Sequence, residues 1–336
     1  MGSQAASLQF GVEIELLLGS RKKAYGSWSA LAKDVSKRLL KAGINNHINE
    51  GGSRSAENYS EWSIVQEVTI PSQPANNLWG IELVSPVYPA AWYWAGDIDA
   101  VFAAVHGAFM VVASPHCSTH VHVSATPAPL STVELGLLAK AVLYFEPALD
   151  GLAPTVRRSS STYWCQSNRV SQAFRDQQGL DSCFSIIDAA VDSAAVAGEV
   201  SATRAVVEAI NLFPAGSAYG RAHGKKHDFV RGKAFKWDFS GMLPKSAGCG
   251  TGLGTVEFRQ PPGSTAADEA CAWVTLALTF VAGVTAVGDF GVDNVDAGAS
   301  PAELWNVLHS GAAFIGWEGL GTLEHLFGSS SSDSDN

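Results

Sequence analysis

The chain contains few charged residues and no excess of positive charge. Of its 336 residues, 16% are charged and 46% are hydrophobic, so the sequence can form a sizeable core and is not globally disordered. The formal net charge is −10, from 22 basic and 32 acidic residues. Such an acidic chain is a poor candidate for binding nucleic acid through its phosphates. A small anion that carries a divalent cation is still a suitable ligand, because the metal supplies positive charge locally.

Cysteine is also scarce. The five cysteines are an odd number, and no CxxC motif occurs. This pattern favours reduced thiols over a disulfide scaffold, and we therefore expect a cytoplasmic protein. The first residues, MGSQAAS, are small and polar and lack the basic and apolar regions of a secretory signal, so none is expected.

Several common nucleotide-binding and hydrolase motifs are missing. The sequence has no GxxxxGK[ST] loop and no GxSxG elbow, which disfavours a P-loop enzyme and a serine hydrolase. The glycines of SAGCGTGLGT, residues 246–255, precede a predicted strand instead of following one and opening a helix. That order does not fit a dinucleotide-binding turn, and it predicts a hairpin or a flexible loop.

One uncharged, apolar run requires a check for a membrane span. Residues 270–288 are long enough for a membrane-spanning helix, but they are rich in Ala, Thr and Gly. Acidic residues flank the run, at Asp268, Glu269 and Asp289, where a membrane helix commonly has Lys or Arg. We therefore predict a helix in the core of a large domain, and no membrane partner.

Predicted strands and helices are mixed along the chain without strict alternation, which favours an α+β fold. Strands are predicted at residues 10–19, 62–70, 79–85, 233–242 and 254–263, and residues 114–125 are predicted to be a turn that leads into a strand. Helices are predicted at residues 27–43, 92–108, 131–152, 181–197, 201–210 and 270–288, with a short one starting at Ser300-Pro301. We predict one catalytic domain over 9–327, between a flexible N-terminus (1–8) and a disordered acidic tail (328–336).

Three of the predicted strands carry polar pairs in otherwise apolar surroundings. The pairs are Glu13 with Glu15, His120 with His122, and Glu257 with Arg259. Residues at i and i+2 of a strand share one face. One such pair is typical of a solvated outer face, or of a structural histidine pair. Three pairs, together with Glu82 in another apolar strand, predict a sheet with one polar, ligand-binding face.

The types of these residues indicate the kind of ligand. Carboxylates with an occasional imidazole suit Mg²⁺ or Mn²⁺. Several carboxylates and an arginine fit two or three divalent ions that carry nucleotide phosphates, with Arg259 neutralising charge on a transferred phosphoryl group. Zinc stays an alternative, because His116 and Cys117 precede the two histidines.

Four motifs occur in the order FGVEIELLL, GIELVSP, CSTHVHVS and GTVEFRQ. In this order they resemble the amidoligase enzymes of fungi and bacteria, which are considered distant relatives of glutamine synthetase and glutamate–cysteine ligase. The resemblance covers residues 10–287. It implies a curved, mainly antiparallel sheet like the glutamine synthetase catalytic domain, with helices on the convex face. It also implies an ATP-dependent carboxylate–amine ligase that acts through an acyl phosphate on a small amino-acid-like substrate.

The resemblance further implies residue roles. Glu13, Glu15, Glu82, His120 and Glu257 would bind Mg²⁺ or Mn²⁺, His122 would contact ATP, and Arg259 would stabilise the transferred phosphoryl group. Glu67 would be a substrate or metal residue, and Arg157 or Arg158 would hold a phosphate or a substrate carboxylate. The expected partners are a small-molecule carboxylate and an amine, and a homo-oligomer is compatible with the family.

The chain departs from the family pattern at two places. Ser118-Thr119 stands where the family commonly has Gly-Leu, and residues 261–264 replace a His followed by Gly-Thr. Neither change removes an expected metal ligand. Three other functions stay open: a phosphotransferase, a zinc-dependent hydrolase using His116, Cys117, His120 and His122, and an inactive binding homologue. The basic loop 214–233, with Lys225, Lys226 and Arg231, is a candidate lid or an ordinary solvated loop.

Overall fold

The computed structural model describes residues 7–49, 59–158, 162–288, 295–323 and 326–327. Its fold is mixed α+β with a mainly antiparallel, open sheet, which confirms the predicted class. The glutamine synthetase-like curvature stays a prediction. The chain divides into two compact units. The single catalytic domain over residues 9–327 stays a prediction. The acidic tail 328–336 and most of the predicted flexible N-terminus lie outside the described residues.

The first unit comprises Gln9–Val121 and Pro261–Thr275. Its elements are β1 (Ser7–Ser20), α1 (Trp28–Lys41), β2 (Asn46–Asn49), β3 (Trp62–Val65), β4 (Leu78–Val84), β5 (Tyr88–Pro89), α2 (Ala95–His106), β6 (Phe109–Val112) and the first residues of β7 (Thr119–Thr126). The strand order is β7-β1-β4-β3-β2, and β5 and β6 also pair with β1. β4 pairs antiparallel with both β1 and β3, whereas the edge strand β2 pairs parallel with β3.

Strand β1 explains why this unit has one apolar and one polar sheet face. Phe10, Val12 and Ile14 alternate along the strand and are fully buried. Glu13 and Glu15 point to the opposite face, since side chains alternate along a strand. Helix α1 adds apolar residues at helical spacing, and the Ser27 side chain accepts a hydrogen bond from Ala30 N at 3.2 Å to cap its first turn.

The second unit comprises His122–Gln260 and Leu276–Asn336, with the residues before Gln9. It contains the rest of β7, α3 (Thr132–Leu152), α4 (Thr155–Arg158), α5 (Leu180–Asp192), α6 (Ala194–Ala197), α7 (Glu199–Asn211), β8 (Leu212–Phe213), α8 (Ala218–Ala222), β9 (Phe229–Val230), β10 (Trp237–Asp238), β11 (Val256–Phe258), part of α9 (Ala267–Val287) and α10 (Pro301–Ile315). Helix α3 packs against α5, α7 and α10. The strand order is β10-β11-β7, and β8 pairs with β9.

Several local predictions are confirmed in this unit. Ser131 and Glu134 form a capping box at the start of α3, and Ser300 and Glu303 form one at the start of α10. Residues 246–255 contain no long helix or strand, and Gly248 adopts a positive φ of 76°, as expected for a loop.

The predicted strands at 62–70 and 233–242 are much shorter in the structure. β3 ends at Val65, and β10 has two residues. Around β10 the backbone turns into one-turn 3₁₀ helices at Gly232–Ala234 and Ser240–Met242. Local alternation of apolar residues therefore overestimates the length of both strands.

Helix α9 is long and apolar enough to cross a membrane by length and composition. In the structure, 83% of its most apolar 18-residue window is buried inside the protein. This burial is typical of the core helix of a soluble domain, as predicted from the sequence. The cytoplasmic location stays a prediction.

Candidate functional site

The first unit brings together the three glutamates predicted on β1 and β4. The antiparallel register sets Glu15 directly opposite Glu82, and Glu13 lies two residues away on the same face of β1. Like charges directly opposite each other destabilise a sheet. The sequence therefore places carboxylates where an apolar or oppositely charged pair would be more stable, which is typical of a cation-binding surface.

Glu67 joins these carboxylates from a loop and not from a strand. Gly80, two residues before Glu82, has no side chain, and a Cβ at that position would lie 2.7 Å from Ile70 Cβ and 3.0 Å from Glu67 O. The glycine thus lets residues 67–70 lie directly against the sheet. The Glu67 carboxylate also accepts a hydrogen bond from Thr69 N at 2.6 Å, which fixes the turn.

His120 on β7 contacts the β1 carboxylates. Its Nδ1 lies 3.2 Å from Glu13 Oε2, and its Nε2 lies 3.9 Å from Glu15 Oε1. Ser118 N donates a hydrogen bond to Glu15 Oε2 at 2.7 Å. Glu15 and His120 are both buried, so their geometry is held by the surrounding sheet.

These residues form two overlapping groups that share Glu82. Glu13, Glu82 and His120 make one group, and Glu15, Glu67 and Glu82 make the other; in each, the potential ligand atoms lie within 4.8 Å of one another. Burial, and then the charges of Glu13, Glu15 and Glu67, hold the pKa of Glu82 well above its ordinary value. Four carboxylates and one imidazole are a donor set that fits Mg²⁺ or Mn²⁺.

Cys117 stands apart from this donor set. Neither group includes Cys117 or His116. Burial, and then the nearby Glu15 carboxylate, raise the pKa of the Cys117 thiol to about 12, which disfavours the thiolate that zinc requires. Cys117 packs instead with Leu17 and Ile70 in an apolar cluster.

The second unit brings together His122, Glu257 and Arg259. His122 Nε2 lies 3.6 Å from Glu257 Oε1, and the Arg259 guanidinium donates a hydrogen bond to the same oxygen. Arg259 Nε also donates to Lys233 O at 3.2 Å. Glu257 and Arg259 are buried, so this ion pair is well ordered and hydrogen-bonded.

Strand β7 supplies one imidazole to each set of residues. His120 contacts the first-unit carboxylates, and His122, two residues later, contacts Glu257. Strand alternation gives both imidazoles the same side of β7.

Asp238 is a residue that the sequence analysis missed. It pairs with Glu257 across β10 and β11, so the two carboxylates share a sheet face. Burial, and then the Glu257 charge, raise the pKa of Asp238. Ser240 N donates to its Oδ1 at 2.7 Å. The sequence did contain a signal for Asp238, because it is an acidic residue within the alternating segment KAFKWDFSGM. Glu82 was identified by the same kind of signal.

Arg157 lies close to Arg259 but contacts the backbone. The buried guanidinium donates from Nε to Gln260 O at 3.0 Å and from Nη2 to Arg259 O at 2.6 Å. Arg158 is exposed and donates from Nε to Ala153 O at 2.5 Å. The phosphate- or carboxylate-binding role of these two arginines stays a prediction.

Lys236 is a second residue that was missed. Its buried ammonium donates to Glu146 Oε1 at 2.9 Å and to Asp150 Oδ1 at 2.6 Å. Burial disfavours the charged ammonium, but the two carboxylates outweigh it and raise the pKa of Lys236. Its carbonyl accepts from Arg259 N at 2.8 Å, so the Lys236 network helps to position the backbone of Arg259.

The family described as "putative amidoligase enzyme" matches residues 6–189, more than half of the chain. The match includes the first-unit carboxylates, His120 and His122, whereas Glu257 and Arg259 lie beyond it. No curated protein sequence matches this chain. The match confirms the resemblance of the sequence motifs, and this chain belongs to the amidoligase enzyme family.

Proposed function

We propose that this protein is an ATP-dependent carboxylate–amine ligase that acts through an acyl phosphate on a small amino-acid-like substrate. Family membership supports a ligase. The observation that carries the finer proposal is the convergence of Glu13, Glu15, Glu67, Glu82 and His120 within the first unit. A structural role alone does not account for four carboxylates on one side of a sheet.

The residues around Glu82 would hold divalent cations, Mg²⁺ or Mn²⁺, and Glu257 would be a further ligand. When bound, such cations offset the negative charge of nucleotide phosphates. The raised pKa of Glu82 is in line with this assignment, because burial and then the negative charges of Glu13, Glu15 and Glu67 disfavour its ionised form, and a bound cation would offset these charges.

Arg259 would stabilise the charge of the transferred phosphoryl group, and His122 would contact ATP. A guanidinium keeps its charge at any physiological pH. The side chain of Arg259 is fixed by Glu257 and Lys233 O, and its backbone is held by Lys236 and Arg157. Such fixed donors stabilise developing charge without reorganisation during the reaction.

In the proposed reaction, an oxygen of the substrate carboxylate attacks the γ-phosphorus of ATP, and ADP leaves. The amine then attacks the acyl carbon, phosphate leaves, and loss of a proton from nitrogen gives the amide. Water must be excluded while the acyl phosphate exists, because water would hydrolyse it. A phosphotransferase would carry out the first step only.

The test is ATP binding by isothermal titration, with and without Mg²⁺ or Mn²⁺. We expect binding that requires the metal and that weakens at least about tenfold in Glu15→Gln, since a charge-assisted contact contributes about 1.5–3 kcal/mol. Glu61→Gln is the matched control, because it removes a carboxylate of the same unit that pairs with His47. Metal-independent binding, or equal affinity in Glu15→Gln, would contradict the proposal.

A further inference from the structure

Helix α1 in the first unit has a strongly basic surface, although the net charge of the chain is −10. Residues 21–41, which comprise α1 and the segment before it, contain seven Lys and Arg residues and one acidic residue, Asp34. The Asp34 carboxylate forms ion pairs with Lys23 at 3.1 Å and with Arg38 at 3.6 Å. The charge of the other basic residues is therefore not balanced within this segment.

Three of these other basic residues lie on one face of α1. Lys33, Lys37 and Lys41 are exposed and follow each other at intervals of four residues. Leu40, beside them, is 54% exposed. Among the ion pairs between residues that the structure describes, none includes these three lysines. Like charges at this spacing destabilise a helix, so the face favours a negatively charged partner.

Helix α5 in the second unit has the opposite charge on its outer face. Residues 176–199 contain five acidic residues and no Lys or Arg. Asp181, Asp188 and Asp192 are exposed, and their spacing places them together on the side of α5 that faces away from its buried residues. Asp188 pairs with Lys140 at 2.8 Å. This face is therefore a stripe of carboxylates, of which one is partly neutralised.

The two helix faces match in length as well as in charge. At 1.5 Å per residue, the lysines of α1 extend over about 12 Å and the aspartates of α5 over about 17 Å. Exposed apolar side chains accompany both faces. Leu40 belongs to the basic face, and Val196 and Val200, which follow α5 in the chain, are 94% and 73% exposed. Two such helices, side by side, can form several ion pairs and a small apolar contact.

We propose that the basic face of α1 in one copy of this protein binds the acidic face of α5 in a second copy. A second copy is the favoured occupant because the chain itself carries both complementary faces. The contact joins two different surfaces, so each copy has one basic and one acidic face to offer. This inference is independent of the proposed ligase function.

The association should be weak and sensitive to salt. An exposed ion pair contributes little affinity, and only a few pairs can form between two helices of this length. At about 0.1 M salt the screening length is about 10 Å, so the net charges of two copies are largely screened while ion pairs in contact still attract. At about 1 M salt the screening length falls to about 3 Å, which weakens the exposed pairs as well.

The test is sedimentation equilibrium of the full chain, up to a concentration of about 0.5 mM. We expect reversible association at about 0.1 M salt that weakens about tenfold or more at about 1 M salt. Lys33→Glu combined with Lys37→Glu should weaken it about tenfold or more at the lower salt concentration. Asp181→Lys combined with Asp192→Lys should have an effect of similar size, because it reverses the charge of the other face.

A mixture of the two variants tests whether α1 and α5 bind each other. The α1 variant keeps an intact α5 face, and the α5 variant keeps an intact α1 face. Each variant alone should be mainly monomeric, whereas an equimolar mixture should regain association in the form of a dimer with one copy of each.

Lys226→Glu combined with Lys245→Glu is the matched control, because it makes the same change of net charge at two exposed lysines of the second unit. The control should associate like the wild type. Circular dichroism and thermal unfolding check that each variant is folded. The corresponding Lys→Gln or Asp→Asn pair, which removes the charges without reversing them, replaces any variant that is not.

Four results would each overturn the inference. They are a wild type that stays monomeric at every concentration, association that the α1 and α5 substitutions or about 1 M salt leave unchanged, equal loss in the control, and a mixture that stays monomeric. A monomeric wild type would also favour another acidic molecule as the partner of α1.

Discussion

Glu82→Gln should stabilise the metal-free protein and weaken its response to metal. Glu82 belongs to both groups of potential metal ligands, so this substitution removes one charge from each and keeps the side-chain shape. Substitution of a buried, well-packed polar residue usually lowers the free energy of unfolding. The sign of the effect therefore tests whether the glutamates are together for ligand binding.

The structure limits the size of this effect. Two unit charges separated by 4.8 Å, the upper limit within each group, repel each other by about 3 kcal/mol at an effective dielectric constant of 20. Protonation of Glu82 relieves part of this repulsion, because its pKa is raised in the folded protein. We expect Glu82→Gln to increase the free energy of unfolding by about 1 kcal/mol above the folded-state pKa of Glu82.

The pH dependence has a defined sign. The folded-state pKa of Glu82 lies above its unfolded value, so the wild type binds more protons when folded. The stability that protonated Glu82 contributes is fully present below the pKa of Glu82 in the unfolded chain. It is lost as the pH rises through the pKa of Glu82 in the folded protein. The stability difference between Glu82→Gln and the wild type should therefore grow as the pH increases.

The assay is urea unfolding in a chelator, at several pH values, followed by the same series with Mg²⁺ or Mn²⁺. Metal should stabilise the wild type and stabilise Glu82→Gln much less, since a ligand that binds only the folded state raises its stability. Glu61→Gln serves again as the control. A destabilised Glu82→Gln variant in the chelator, or equal stabilisation of both proteins by metal, would refute this reasoning.

Two further substitutions test how the sites are held. Gly80→Ala should lower the free energy of unfolding by about 1–3 kcal/mol and weaken Mn²⁺ binding, because its Cβ would displace residues 67–70. Gly26→Ala is its control, since nothing lies within 4 Å of that Cβ, and equal behaviour of the two variants in urea unfolding and Mn²⁺ titration would contradict the prediction. Lys236→Met should destabilise by about 3–5 kcal/mol, because it leaves Glu146 and Asp150 without their buried cation. Urea unfolding measures this loss, and a change below about 1 kcal/mol would show that the network is not important for stability.

The polar face of the first unit could be predicted from local sequence because its elements are long and regular. β1 has 14 residues, and alternation over its first half separates Phe10, Val12 and Ile14 from Glu13 and Glu15. Glu82 could be identified in the same way, as an acidic residue in an otherwise apolar strand. In these strands the side-chain direction depends only on the position along the chain.

The loop-borne and long-range parts could not be predicted in this way. Apolar alternation extends past Val65, but the strand ends there, and Glu67 reaches the carboxylates because residues 67–70 pack over Gly80. Arg157 was a reasonable candidate for anion binding, yet its observed acceptors are carbonyls more than 100 residues away in sequence. Such pairings depend on tertiary structure, which a local pattern does not encode.

The most direct test of the central claim is ADP release by the wild-type protein with ATP and Mg²⁺, measured against pools of carboxylates and amines added separately and together. We expect release that requires the metal, a carboxylate and an amine, with formation of an amide product. Release that needs only the carboxylate would indicate a phosphotransferase, and no release under any combination would contradict an ATP-dependent ligase.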